Sequence, residues 1–272
     1  MSGANAKTKV TLNTLAALKA RSERFACITA YEATLAEIAS GVGIEVLLVG
    51  DTLGMVIQGH DSTLPVRMND ILYHLDAVRR GNSGSLIMAD MPFMSYYSEG
   101  LTLRNAARLM RAGAQVVKLE GGRWIGESTR LLVERGIPVC AHMGLTPQSI
   151  NRFGGFRVQG RDPQQAQGIL DEAVYLEEAG ASLLLLEAVP QQLAERVTRR
   201  LSIPVIGIGA GKPVDGQIMV MHDLLGITPS GIKVPKFVKN FLAESDDGIR
   251  GAFAAYLRAV KEGSFPGPQH SY

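Results

Sequence analysis

Five apolar runs in this chain of 272 residues each close on a charged residue or a histidine. They are Val46-Leu47-Leu48-Val49-Gly50-Asp51, Leu86-Ile87-Met88-Ala89-Asp90, Val116-Val117-Lys118-Leu119-Glu120, Pro138-Val139-Cys140-Ala141-His142 and Leu183-Leu184-Leu185-Leu186-Glu187. Each has the length of a buried strand. A carboxylate at one strand end is ordinary. Four carboxylates and a lysine at successive strand ends point to one charged cluster at one rim of a parallel barrel. Lys118 and Glu120 are two residues apart, so both face the same side of their strand. Asp51, Asp90 and Glu120 converging at one rim repel one another unless a cation joins them. Oxygen-only ligands favour a hard ion such as Mg2+, which keeps waters and takes further ligands from substrate. For any single acid the alternative is a helix cap or an arginine partner, a reading that weakens for the set.

Glu187 stands apart, with four leucines before it and Ala188-Val189-Pro190 after it. This is the driest of the strand-end positions by sequence. Desolvation disfavours a bare carboxylate, the environment required of a general base working near neutrality. Its alternative is as a partner for Arg196 or His142. Lys118 admits two roles, a Schiff-base nucleophile or a cation for the carboxylate of a substrate. With a metal nearby to polarise a carbonyl, the second is more economical. His142 is placed to orient substrate or to bond a neighbouring acid. His60, His74, His222 and His270 are scattered and receive no role, and Trp124 and the methionines read as packing.

These groups need strands to carry them. Strand-like runs begin near Phe25, Glu45, Ser85, Ala114, Pro138, Ser182 and Pro204, with a weaker one near Gln217. Helical patterns separate most of them, at 34–40, 68–80, 102–111, 127–135, 162–180 and 191–200. Asp162-Pro163 opens one of these by the cap-then-proline rule. The alternation predicts an α/β fold of parallel strands, a closed (β/α)8 TIM barrel in preference to an open doubly wound sheet. The open sheet lacks its fingerprint, because no GxGxxG follows the first strand and Gly207-Ile208-Gly209-Ala210-Gly211-Lys212 runs into Pro213. That segment reads as a strand-to-loop turn. Residues 1–272 form a single barrel domain in this reading, with an N-terminal extension and helix over 1–24 and an extended tail over 263–272.

Composition narrows the function classes. Hydrophobic residues make up 46% and charged residues 20%, with a net charge of +2 and no basic block, so nucleic acid is not an expected partner. No apolar stretch reaches the roughly 20 residues that span a bilayer, and the polar start lacks a signal peptide's apolar segment. Cys27 and Cys140 lie in separate apolar runs, as buried thiols of a reducing, cytoplasmic compartment would.

Several segments, taken whole, resemble the ketopantoate hydroxymethyltransferase family. They are Val49-Gly50-Asp51-Thr52-Leu53-Gly54-Met55, Ala89-Asp90-Met91-Pro92-Phe93, Val117-Lys118-Leu119-Glu120-Gly121-Gly122 and Ala141-His142-Met143-Gly144-Leu145-Thr146-Pro147-Gln148-Ser149. Further along come Gly154-Gly155-Phe156-Arg157-Val158-Gln159-Gly160-Arg161, Leu186-Glu187-Ala188-Val189-Pro190, and Asp215-Gly216-Gln217 leading to His222-Asp223. The resemblance implies a barrel of the phosphoenolpyruvate/pyruvate superfamily and a Mg2+-dependent reaction like that of class II aldolases. It implies transfer of a hydroxymethyl group from 5,10-methylenetetrahydrofolate to 3-methyl-2-oxobutanoate, giving 2-dehydropantoate in pantothenate biosynthesis, by a cytoplasmic homodecamer. Asp51 and Asp90 match the family's metal-binding aspartates and Glu120 its metal-site glutamate. Asp51, Thr52, Asp90 and Lys118 match substrate contacts, and Glu187 matches the proton acceptor. Position 52 departs from the pattern, being Thr where the family most often has Ser; both offer a hydroxyl. Two rivals stand beside this one. One is a Mg2+-dependent lyase or mutase of the same superfamily acting on a small oxo acid without folate, and the other is a non-catalytic metabolite-binding barrel.

Overall fold

In the computed structural model, which describes residues 9–228 and 234–272, eight strands close into one parallel barrel in chain order. They are β1 (Phe25–Thr29), β2 (Val46–Val49), β3 (Leu86–Asp90), β4 (Val116–Glu120), β5 (Val139–Gly144), β6 (Leu183–Glu187), β7 (Val205–Ile208) and β8 (Gly216–Met219). β8 pairs back onto β1 and removes the sheet edge. Helices Ala33–Val42, Met68–Gly81, Glu99–Ala112, Gly126–Val133, Pro163–Glu178 and Gln191–Arg200 return the chain between strands, and Gly248–Glu262 follows β8. The connection from β7 to β8 is the exception. Residues 209–215 cross without a helix, through Gly209 and Gly211 at positive φ and then Pro213, so the glycine-rich run is the turn expected of it.

Every β-strand alternates between two cores. Outward side chains such as Leu47, Val49, Ile87, Ala89, Val117 and Leu184 pack under the helices. Inward ones, among them Val46, Leu48, Leu86, Met88, Val116, Cys140, Leu183 and Leu185, fill the barrel with a second apolar cluster. Cys27 and Cys140 are buried free thiols within it. Helix Leu12–Ala20 plugs the N-terminal end of this interior with Leu15 and Leu18; complete burial of one such leucine contributes about 1.5–3 kcal/mol. Lys19 of the same helix ties it down through Asp215 at 2.8 Å and the Thr198 carbonyl at 3.1 Å. The first eight residues of the 1–24 extension lie outside the described residues.

The segment 263–272 does not trail away as an extended tail. Phe265 is buried, in edge contact with Phe241 and Tyr256 at ring separations of 5.5 and 5.9 Å. The Ser271 carbonyl accepts from Lys236 Nζ, and the Tyr272 carbonyl accepts from the Gln191 amide at 3.1 Å. Glycine and proline stop a helix here, but the aromatic side chains still supply an apolar anchor.

Candidate active site

The inward face of the strands is apolar for two layers and then turns polar at the C-terminal mouth. Leu86 and Met88 precede Asp90, Val116 precedes Lys118 and Glu120, Cys140 precedes His142, and Leu183 and Leu185 precede Glu187. Strand register sets the neighbours. Asp90 pairs with Lys118 across β3 and β4, Glu120 with His142 across β4 and β5, and Gly144 with Glu187 across β5 and β6. Gly144 has to be glycine, because at φ +85° a Cβ would sit 2.3 Å from the Glu187 carbonyl oxygen. A cavity of about 930 Å3 opens above, lined by Asp51, Thr52, Asp90, Lys118, Glu120, His142 and Glu187 together. The structure therefore brings all seven expected residues to one chamber.

Within it, Lys118 Nζ lies 2.9 Å from Asp90 Oδ1 and 3.3 Å from Glu120 Oε1. Burial alone would lower the Lys118 ammonium, but Asp90, Glu120 and Asp51 outweigh it and hold its pKa well above the ordinary lysine value. A lysine held charged in this way suits an anionic partner better than Schiff-base attack, which needs the neutral amine. His142 Nδ1 is 3.0 Å from Glu120 Oε1, and Nε2 is 3.3 Å from Glu187 Oε2. Burial and Lys118 both press the imidazole pKa down, yet Glu120 and the contact with Glu187 raise it overall. Burial would raise the Glu120 carboxyl, but His142 and Lys118 pull it down to about 2.

Asp51 reaches the site from the turn after β2. Its backbone N–H donates to Asp90 Oδ2 at 2.9 Å. Burial pushes the Asp51 carboxyl well above its usual range, and Asp90 and Glu120 add to the push. Thr52 stands at the head of the short helix Leu53–Val56, yet its side chain makes no capping bond there. Its hydroxyl is therefore available to a ligand in the cavity.

Of the three expected metal ligands, Glu120 accepts the most hydrogen bonds. Among the described residues, no group of three His, Cys, Asp or Glu side chains is placed to hold a metal ion. Glu120 is already engaged, Oε1 by Lys118 and His142 and Oε2 by the Gln148 amide at 3.0 Å. The other two carboxylates are less engaged. Asp51 Oδ1 has no hydrogen-bond donor among the described residues. Buried Asp90 Oδ1 faces the Lys118 ammonium outside hydrogen-bond geometry. Two hard oxygen donors beside an open cavity fit Mg2+, which takes one or two carboxylates and completes its shell with water and substrate. Glu187 also differs from expectation. Its side chain is 15% exposed against 2–4% for Asp90, Lys118, Glu120 and His142, so it is the wettest of the strand-end groups. The leucines before it lie beneath it in the barrel, while the carboxylate itself faces the chamber.

Residues 9–268 match the family model described as ketopantoate hydroxymethyltransferase. The chain is 58% identical to the 3-methyl-2-oxobutanoate hydroxymethyltransferase of Erwinia tasmaniensis over 96% of this chain and 98% of that protein. It is 56% identical to 3-methyl-2-oxobutanoate hydroxymethyltransferase 2 of Pseudomonas entomophila, covering 97% and 98%. The chain belongs to the ketopantoate hydroxymethyltransferase family. It is thus an enzyme, a transferase, and the rival readings as a superfamily lyase or as a non-catalytic barrel fall away. The barrel itself is shared more widely. A phosphonopyruvate hydrolase solved with oxalate and Mg2+ superposes with a TM-score of 0.60 at 14% identity, covering 96% of this chain and 93% of that one. A 2,3-dimethylmalate lyase of the PEP mutase/isocitrate lyase superfamily superposes at 0.57 with 15% identity, covering 79% and 81%.

One residue of this hydroxymethyltransferase's site carries no charge. Gln148 donates from Nε2 to Asp51 Oδ2 at 2.8 Å and to the Met91 carbonyl at 3.0 Å, and it accepts from Tyr96 OH at 2.6 Å. With its backbone N–H on Glu120, it joins both acids. An uncharged amide carries no signal of that kind; its place in the family stretch Gly144-Leu145-Thr146-Pro147-Gln148 was the available clue. Asp215 proves structural, taken by Lys19 and the Val205 amide. Arg196 bonds Gln167 rather than Glu187. Trp124, expected in packing, is 62% exposed and stacked on Tyr96.

Proposed function

We propose that this chain transfers a hydroxymethyl group from 5,10-methylenetetrahydrofolate to 3-methyl-2-oxobutanoate, giving 2-dehydropantoate, with Mg2+ held by Asp51 and Asp90. The observation that carries the reading is the convergence of a two-carboxylate oxygen site, a charged lysine and an open carboxylate on one chamber. Lys118 and Thr52 hold the carboxylate of the keto acid. Bound Mg2+ supplies Lewis-acid withdrawal of charge from the keto oxygen. Glu120 sits behind the ligands and acts through Lys118, His142 and Gln148. Glu187 removes the C3 proton, with His142 Nε2 beside its carboxylate. The methylene carbon then exchanges its two bonds to the carrier nitrogens for one bond to C3 and one to a water oxygen; the nitrogens take up the C3 proton and one proton of that water, which leaves the hydroxymethyl group on C3 and free tetrahydrofolate.

We also propose that the chain works as one domain over 1–272, in the cytoplasm, as a homodecamer. Exposed apolar side chains such as Tyr73, Tyr97 and Trp124 suit subunit contacts, and no described helix is long and apolar enough to cross a membrane. Product formation assayed with and without a chelator, and with and without the folate carrier, tests the reaction. Both omissions should abolish 2-dehydropantoate; product formed without carrier would overturn the proposal.

A further inference from the structure

The charged groups occupy only part of the mouth. Asp51, Asp90, Lys118, Glu120, His142 and Glu187 come from β2 through β6 and the turns after them. The remaining arc, β7, β8 and β1, lines the same chamber with Ile208, Ile218, Met219 and Val220, and with Thr29. One carboxylate interrupts that apolar wall. Asp223, just beyond β8, is 9% exposed and lines the cavity together with Thr228. Thr228 Oγ1 donates to Asp223 Oδ1 at 2.6 Å. Among the described residues, Oδ2 has no donor and the carboxylate has no cationic partner. Burial holds the Asp223 carboxyl above its usual range, and only the Thr228 hydroxyl opposes the shift.

The reaction on the keto acid leaves this group without a task, and it leaves most of the space unused. Pockets for drug-sized ligands run to about 300–1,000 Å3, so a five-carbon acid fills a small part of a chamber of about 930 Å3. An apolar wall ending in a carboxylate suits a planar heterocycle with two adjacent N–H donors on one edge. A carboxylate accepts such a fork with both oxygens and retains lone pairs for a hydroxyl as well.

We propose that Asp223 anchors the one-carbon carrier, accepting from the N3–H and 2-amino group of its reduced pterin while the ring lies along the wall of β7, β8 and β1. This rests on the reading of the carrier as methylenetetrahydrofolate. The methylene carbon sits at the end of the pterin opposite the 2-amino edge. An anchor beyond β8 therefore directs that carbon inward, toward the keto acid held by β2 to β4 and the base on β6.

Calorimetric titration with tetrahydrofolate and with its 2-desamino-2-methyl analogue tests the contact. The unmodified protein should bind tetrahydrofolate roughly tenfold to a hundredfold more tightly than the analogue, the usual worth of a charge-assisted hydrogen bond. Asp223→Ala should weaken tetrahydrofolate by a similar factor and erase the preference. C3 proton exchange of the keto acid, which needs no carrier, reports that the variant is folded. A folded Asp223→Ala protein that keeps the preference overturns the inference. Where the variant does not fold, the unmodified protein decides alone, and equal affinity for the two ligands overturns it. If the unmodified protein exchanges the C3 proton but binds neither ligand, the reading of the carrier fails instead.

Discussion

His142 Nε2 lies 3.3 Å from Glu187 Oε2, while Nδ1 of the same ring lies 3.0 Å from Glu120 Oε1. One imidazole thus spans Glu120, the acid that Lys118 and Gln148 also hold, and Glu187, the acid that faces the chamber. Strand register produces the bridge, since β5 lies between β4 and β6 and carries His142 level with Glu120. The ring holds its proton more firmly than an ordinary histidine, because Glu120 and Glu187 outweigh burial and Lys118. Its Nε2 edge therefore faces the Glu187 carboxylate at ion-pair distance, outside hydrogen-bond geometry.

Glu187→Gln keeps the size of the side chain and removes the proton acceptor. Exchange of the C3 proton of 3-methyl-2-oxobutanoate with deuterated solvent should fall roughly 10²–10⁴-fold, while binding of keto acid and Mg2+ stays near the parent level. Proton NMR follows the exchange directly, and a parent-like rate would remove Glu187 from the role.

Lys118→Met leaves Asp90 and Glu120 facing each other at 2% side-chain exposure with no ammonium between them. Loss of one member of a buried charge cluster costs about 3–5 kcal/mol. The urea midpoint without divalent ions should drop accordingly and recover in part when Mg2+ is added. An unchanged midpoint would show that Lys118 is not the counter-charge.

Gln148→Leu removes the amide from Asp51, Met91 and Tyr96 and leaves an apolar group of similar bulk. Partners that orient metal ligands are usually worth about 10–100-fold in metal affinity. Mn2+ titration followed by electron paramagnetic resonance should show a loss in that range. Unaltered Mn2+ affinity would reduce Gln148 to a packing residue.

Burial holds the His222 imidazole below the ordinary histidine value. As pH falls the unfolded chain protonates this ring first, so the neutral ring adds stability that is present above about pH 6.5. That stability is lost as pH falls through the depressed folded value. The stability difference between the parent and His222→Gln should therefore shrink between about pH 8 and about pH 5. Denaturation midpoints at the two pH values measure it, and a constant difference would contradict the shift.

What the chain determined by itself was local and periodic. An apolar run closing on a charge identifies a strand end, and a two-residue spacing puts Lys118 and Glu120 on one face; both hold in the folded chain. The family motifs named the reaction that spacing could not. What only the tertiary structure decided depends on distances between segments remote in sequence. Gln148 contacts Asp51 from 97 positions away, and Glu120 is held by Lys118, His142 and Gln148. Glu187, apolar in its sequence neighbourhood, faces the open chamber because Leu183 and Leu185 point into the barrel beneath it. The tail turns back through Phe265 to place Tyr272 at the chamber wall. Closure of β8 onto β1 likewise sets Asp223 at the rim of the same cavity as the charged strand ends. A strand pattern reports which way a side chain points; closure of the barrel determines what it meets.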